Sequence, residues 1–433
     1  MKAYSEKHPI IIYSALVVSI LFLSGIFVLW QTRQQQRIAE VENAPITALD
    51  VKIRTATAGL AGPGKRQVKA YTALAALYLQ KIRESADPSY YSVIDGLLDQ
   101  AVLIDRKDTS ITALRAVIEN GRHHFKNGYL LITQAIAASP NITSYYGIRA
   151  DAEIELGKYD DAEASLQKMA DRRPDYSSYT RIAYLRELSG DTEGAKDILI
   201  RAISAGSVYK ENIAWAYVEL GKLEFRSDLD KASASFTRAL EVDEQYPPAL
   251  EGLAKVAFAR GDDKRAIDYL NQAFARVPLA QYATLLGEVA ESMGDTKKAA
   301  QEYALAGVAY TKSSTSGMNT DLEYSVFLAD HGDHVLALAL SKRAYIDRPS
   351  VYGADALAWA LYKNGQYQEA QRYSKEALRL GDNDPLLIFH AGMIAEANKD
   401  NSAAKKYFTE VQALSPHFSI GYSETLKNKL MNP

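Results

Sequence analysis

Cysteine is absent from all 433 positions, which removes disulfides, thiolate nucleophiles and zinc–thiolate sites at once. Proline is sparse, at 13 residues, and hydrophobic side chains make up 47%, so the chain is not a largely disordered polymer. Neither sign of charge is in excess. Lys and Arg total 50 against 53 Asp and Glu, and no long block of one sign occurs. A nucleic-acid binder needs clustered cations to neutralise phosphates, so nucleic acid is not an expected partner. Catalytic groupings are missing too. No G-x-S-x-G occurs, and GLAGPGK at 59–65 is followed by Arg66 where a phosphate loop needs Ser or Thr. His331 and His334 form H-x-x-H, but within LADHGDHVLA, a turn setting. Arg260-Gly261-Asp262 falls in a similar turn, where Gly and Asp are wanted for backbone reasons. The expectation is a chain that is not an enzyme and takes no metal or cofactor.

One long apolar run is present. IIIYSALVVSILFLSGIFVLW, Ile10 to Trp30, carries no charge over a length that spans a bilayer core as a helix. Trp30 suits an interfacial anchor and Pro9 a helix start. Residues 1–9 then form an N-terminal tail, 10–30 a transmembrane helix, and 31–66 a juxtamembrane helix and linker. Pro45, Gly59 and the Gly62-Pro63-Gly64 breaker carry the linker reading. Lys2 and Lys7 against Arg33 and Arg37 lean toward a cytoplasmic N-terminus. That places a single-pass protein in a bacterial inner membrane with the remainder extracytoplasmic.

From Gln67 onward a pattern returns. Small residues stand at Ala162, Ala195, Ala232, Ala266, Ala299, Ala337, Ala370 and Ala404, spaced 33 to 38 residues apart. Four residues after each comes Leu166, Leu199, Phe236, Leu270, Tyr303, Ser341, Ser374 or Phe408. Five before six of them lies a glycine: Gly157, Gly190, Gly261, Gly294, Gly332 and Gly365. Prolines 174, 278, 349 and 416 follow twelve residues on. Glycine stops one helix and turns into the next. The alanine lies where two antiparallel helices cross closely, and the residues beyond it on the same face fill the gap. Such a hairpin cannot bury its apolar face alone, so hairpins stack.

These columns resemble the tetratricopeptide repeat, whose 34-residue period and A-x-x-x-F…P signature they match. ASASF (Ala232 to Phe236) and AKKYF (Ala404 to Phe408) reproduce the central element, and Leu220-Gly221 and Leu286-Gly287 supply the small position of the first helix. Ser341 and Ser374 depart from it and predict looser packing. The expected fold is all-α: a right-handed α-solenoid of about ten such hairpins, preceded by the transmembrane helix. Residues 67–142 read as two degenerate repeats, 143–418 as eight repeats, and 419–433 as a capping helix and C-terminus.

The resemblance implies protein or peptide partners on a concave wall lined by the first helix of each repeat. By register Tyr184, Lys222, Phe225, Arg226, Lys255, Phe258, Asp355, Trp359 and Tyr362 fall on or near that wall. Chaperone-binding members of the family grip a peptide carboxylate with a Lys and Asn pair. Gly147, Asp151, Thr180 and Tyr184 stand at the corresponding places here, which argues against that role. The expected function is a membrane-tethered scaffold for assembly or quality control of an envelope complex. The alternative is an accessory subunit of a transporter or secretion machine, whose span makes specific contacts through Ser14, Ser19, Ser24 and Gly25.

Overall fold

A computed structural model describes residues 47–62, 66–172, 174–381 and 383–431. Among these are 22 helices and no strand. Helix α1 (Ala48–Gly59) precedes ten antiparallel pairs. The first five pairs are α2 (Val68–Ser85) with α3 (Tyr90–Ile104), α4 (Thr109–Gly121) with α5 (Phe125–Ala138), α6 (Thr143–Glu155) with α7 (Tyr159–Ala170), α8 (Tyr176–Leu188) with α9 (Thr192–Ala205), and α10 (Lys210–Phe225) with α11 (Leu229–Val242). The next five are α12 (Pro247–Ala259) with α13 (Asp263–Arg276), α14 (Ala280–Ser292) with α15 (Thr296–Thr315), α16 (Asp321–His331) with α17 (His334–Asp347), α18 (Val351–Lys363) with α19 (Tyr367–Ala377), and α20 (Pro385–Ala397) with α21 (Asn401–Leu414). Helix α22 (Ser423–Met431) ends the described chain.

The repeat columns have visible causes. Gly157 and Gly190 take φ of +69° and +76°, the left-handed turn a side chain disfavours. Aspartates 191, 228, 262, 295, 333 and 400 then cap the second helices, each carboxylate accepting from backbone N–H groups of the first turn. Gly332 differs, with φ of −151°, and Asp333 alone starts α17. The column alanines are buried at each crossing. Phe236 shows what the small positions are for: its ring lies against both Gly221 of α10 and Gly252 of α12, where a Cβ would come within 2.6 and 2.4 Å. Phe408 packs on Gly392 and Tyr303 on Gly287 in the same way. The structure buries Ser341 and Ser374 as well.

Two sequence expectations change. Residues 48–59 form a helix within the expected linker. Thr47 and Asp50 make a reciprocal capping box, the helix interior holds no proline, and Lys81 of α2 holds Asp50 at 2.8 Å. Local capping thus outweighs the breakers that follow it. The second change concerns localisation. The segment Ile10 to Trp30 lies outside the described residues, and with it the alternative role built on its contacts. No helix of the described residues is long and apolar enough to cross a membrane. This overturns the expected placement in a bacterial inner membrane. The described helices turn apolar side chains toward neighbouring helices and leave most of their outer faces polar.

The array coils tightly enough to touch itself. Arg348 reaches back to Glu155, 193 residues earlier, with Nη2 at 2.9 Å, while its Nη1 holds Glu323 at 2.9 Å. The Val351 amide donates to the Tyr159 hydroxyl at 2.8 Å. One repeat further, Asn383 donates to the Gly190 carbonyl at 3.0 Å, and one repeat earlier the Asn319 amide donates to the Arg122 carbonyl at 2.9 Å. The turns of the third and fourth pairs therefore rest on the junctions before the ninth and tenth.

Candidate functional site

Helices α8, α10 and α12 present neighbouring stripes of polar and aromatic side chains to the inside of the coil. Because residues three and four apart share a helix face, Tyr184 goes with Glu187, Glu219 with Lys222 and Arg226, and Glu251 with Lys255. An open array would leave this stripe facing solvent. Here the coil brings the start of α20 and the loop after α21 opposite it, enclosing a cavity of about 380 Å³. Its near wall is Tyr184, Lys222, Phe225, Arg226 and Lys255 with the acids Glu187, Glu219 and Glu251. Its far wall is Tyr352, Asp384, Pro385, Leu386, Ser415 and Phe418.

Every cation on the near wall has a carboxylate partner. Lys222 meets Glu219 at 2.8 Å, Arg226 meets Glu187 at 2.5 Å, and Lys255 meets Glu251 at 2.6 Å. Arg226 also donates to the Asn383 carbonyl at 3.3 Å, tying near wall to far wall. Burial pushes the Glu187 carboxyl up to about 7 against the pull of Arg226, helped by Glu219 and Asp384. Burial likewise raises Asp384. Glu251 moves the other way: burial would raise it, but Lys255, Lys222 and a 2.9 Å bond from Gln281 hold it below the usual range. The result is a slot lined by paired charges and aromatic surfaces, most of them part-buried and Lys222 exposed. No group of three or more His, Asp or Glu among the described residues could hold a metal ion. His331 stacks on Tyr303 at 3.9 Å and approaches Glu288 at 3.6 Å.

The nine sequence-expected wall residues separate into two groups. Tyr184, Lys222, Phe225, Arg226 and Lys255 come together on the cavity. Phe258, Asp355, Trp359 and Tyr362 do not reach it. Trp359 is 1% exposed, stacked between His390 at 4.0 Å and Tyr362 at 4.8 Å, with its Nε1 donating to Asp330 at 2.7 Å. Asp355 is buried against His390 Nδ1 at 2.9 Å. Trp359 and Asp355 are thus interior groups where the register placed them on a wall, because neighbouring first helices and the C-terminal loop cover that stretch. Glu187, Glu219 and Glu251 escaped the sequence reading, although they share a helix face with residues it named. The far wall had no sequence signal, since its residues, 352 to 418, lie several repeats downstream of the near wall at 184 to 255.

Residues 226–289 and 356–417 match family models described as tetratricopeptide repeat, so the chain carries repeats of this kind. Proteins built from them generally mediate protein–protein interaction, and the scaffold is typically non-catalytic. A comparison with curated proteins finds no match. Similar solved structures include PilW, a type IV pilus biogenesis factor, at 18% identity over 47% of this chain and 94% of that one, with a TM-score of 0.40. MamA is similar at 20% identity over 37% and 93%, with a TM-score of 0.30. The human IFIT1 dimer with PPP-AAAA is similar at 15% identity over 72% and 73%, with a TM-score of 0.46. Likeness at these identities concerns the repeat fold alone.

Proposed function

We propose that the chain is a protein-binding scaffold that holds a segment of a partner in the cavity between α8, α10 and α12 on one side and α20 on the other. The observation that supports this is the cavity itself: about 380 Å³ on the inner surface of the coil, lined by aromatic faces and paired charges. Aromatic and Arg side chains in partly desolvated pockets are the usual anchors of protein interfaces. Paired charges on the wall offer a peptide backbone and its side chains both donors and acceptors, which favours register and selectivity over raw affinity. Repeat scaffolds of this kind are typically non-catalytic, which supports binding rather than turnover as the reading. An array of ten stacked pairs also offers surface on either side of the cavity, as a scaffold for a multi-protein complex needs.

Lys222 and Lys255 are the side chains to change, because their wall positions are the more exposed and Arg226 also braces the far wall. Lys222→Glu with Lys255→Glu, compared at a temperature where its helical circular-dichroism signal matches that of the wild type, should lose at least tenfold of the affinity for partners recovered by affinity capture. Full retention of every partner by the folded variant removes the cavity from the interface.

A further inference from the structure

After Leu414 the chain does not begin another hairpin. It turns inward and crosses the inner surface of the coil before α22 forms. Three bulky side chains, two residues apart, anchor this strap. Phe418 reaches Phe389 of α20 at 5.2 Å and forms part of the cavity wall. Ile420, 8% exposed, packs with Leu286 and Val289 of α14 and with Phe258 of α12. Tyr422 sets its ring edge-on to Trp359 of α18 at 5.9 Å and donates its hydroxyl to Asp330 of α16. A stretch of eight residues thus touches the first helices of five repeats, on the face where the register placed Phe258 and Trp359.

We propose that Ser415 to Tyr422 is an internal ligand of the groove, occupying places that a partner segment with bulky apolar or aromatic residues at alternate positions takes on binding. This deepens the scaffold reading above and rests on it. Two features make the strap displaceable. Its backbone is non-helical and held by few bonds, among them Phe418 N to Ser415 O at 3.2 Å and Tyr422 N to Ser419 Oγ at 3.2 Å, so its hold on the coil rests on the three anchoring side chains, which an incoming segment of the same pattern can replace. Its departure also leaves no stranded charge, since Asp330 keeps Trp359 Nε1 at 2.7 Å and Lys363 Nζ at 3.2 Å. A closed strap lowers apparent partner affinity by the fraction of molecules that are open.

The test uses the full chain and a fluorescent synthetic peptide, SPHFSIGYS, matching residues 415–423. Ile420→Ala with Tyr422→Ala loosens the strap, and Tyr422→Phe removes only the hydroxyl bond should the double variant fold poorly. The double variant should bind the peptide at least tenfold more tightly than wild type, Tyr422→Phe severalfold, and a peptide with Phe, Ile and Tyr replaced by Ser should not bind. Equal peptide binding by variant and wild type, while hydrogen exchange shows residues 415–422 opened in the variant, overturns the proposal. If reversing Lys222 and Lys255 abolishes partner capture yet loosening brings no gain in peptide binding, the strap is wrong and the groove stands. A gain in peptide binding with capture indifferent to the reversal supports the strap and removes the cavity reading.

Discussion

Glu187 carries the consequence of placing a carboxyl inside a coil. Burial raises it to about 7 from an ordinary 4.5, despite Arg226 at 2.5 Å. Folding therefore takes up a proton between those two pH values, and the stability linked to this group is present below about 4.5 and lost as pH rises through about 7. Glu187→Gln keeps an acceptor for Arg226 and removes the ionisation. Thermal unfolding at pH 5 and pH 7 should show the wild type losing on the order of 2 kcal/mol more than the variant across that window. Parallel losses in the two proteins would place the titration elsewhere. Glu153, Glu211, Asp243 and Asp384 are raised by burial too, so only the difference between the proteins isolates Glu187. Of the near wall, the cations and aromatics were legible in the sequence because they share helix faces. The shifted carboxyl was not, since the burial that shifts it comes from a distant repeat.

Within the elements, packing turns on contacts between a second helix and the two first helices beside it. Phe236 cannot relax away from Gly221 without pressing on Gly252, so an added methyl at either glycine has nowhere to go. Gly221→Ala or Gly252→Ala should each destabilise by about 1–3 kcal/mol, overpacking outweighing the roughly 1 kcal/mol that Ala gains over Gly in a helix. Phe236→Leu in the Gly252→Ala background should recover part of the loss. Chemical denaturation measures both, and a stabilised Gly252→Ala protein would show the ring free to move. The A-x-x-x-F spacing and Gly221 announced half of this arrangement. Gly252 sits in the following repeat, and its role emerges only when the repeats stack.

At the scale of the whole molecule, the coil is closed by contacts that a one-dimensional array does not require. Arg348, 8% exposed, joins Glu155 on one turn to Glu323 on the next and lies over the Phe125 ring at 5.1 Å. Arg348→Met leaves two carboxylates facing each other in a half-buried seam. The expected cost is about 3–5 kcal/mol, with an increase in radius of gyration as the turns separate. Solution X-ray scattering reads the second effect, and an unchanged radius in a destabilised variant would confine Arg348 to local packing. The cavity should widen with the coil, so partner affinity should fall together with compactness.

Within the repeats the sequence alone determined the helices, their pairing and their order, whereas helix α1 at Ala48–Gly59 escaped it. Those depend on residues within about one repeat of each other: a glycine and an aspartate at the turn, an alanine at the crossing, an aromatic over a glycine. Which side chains line the inner cavity was decided by the tertiary structure, because superhelical curvature accumulates small rotations over ten units. That curvature brings Gly190 to Gly381 and Tyr422 to Trp359, so an inner wall that local register leaves open is divided into a cavity and a strapped groove.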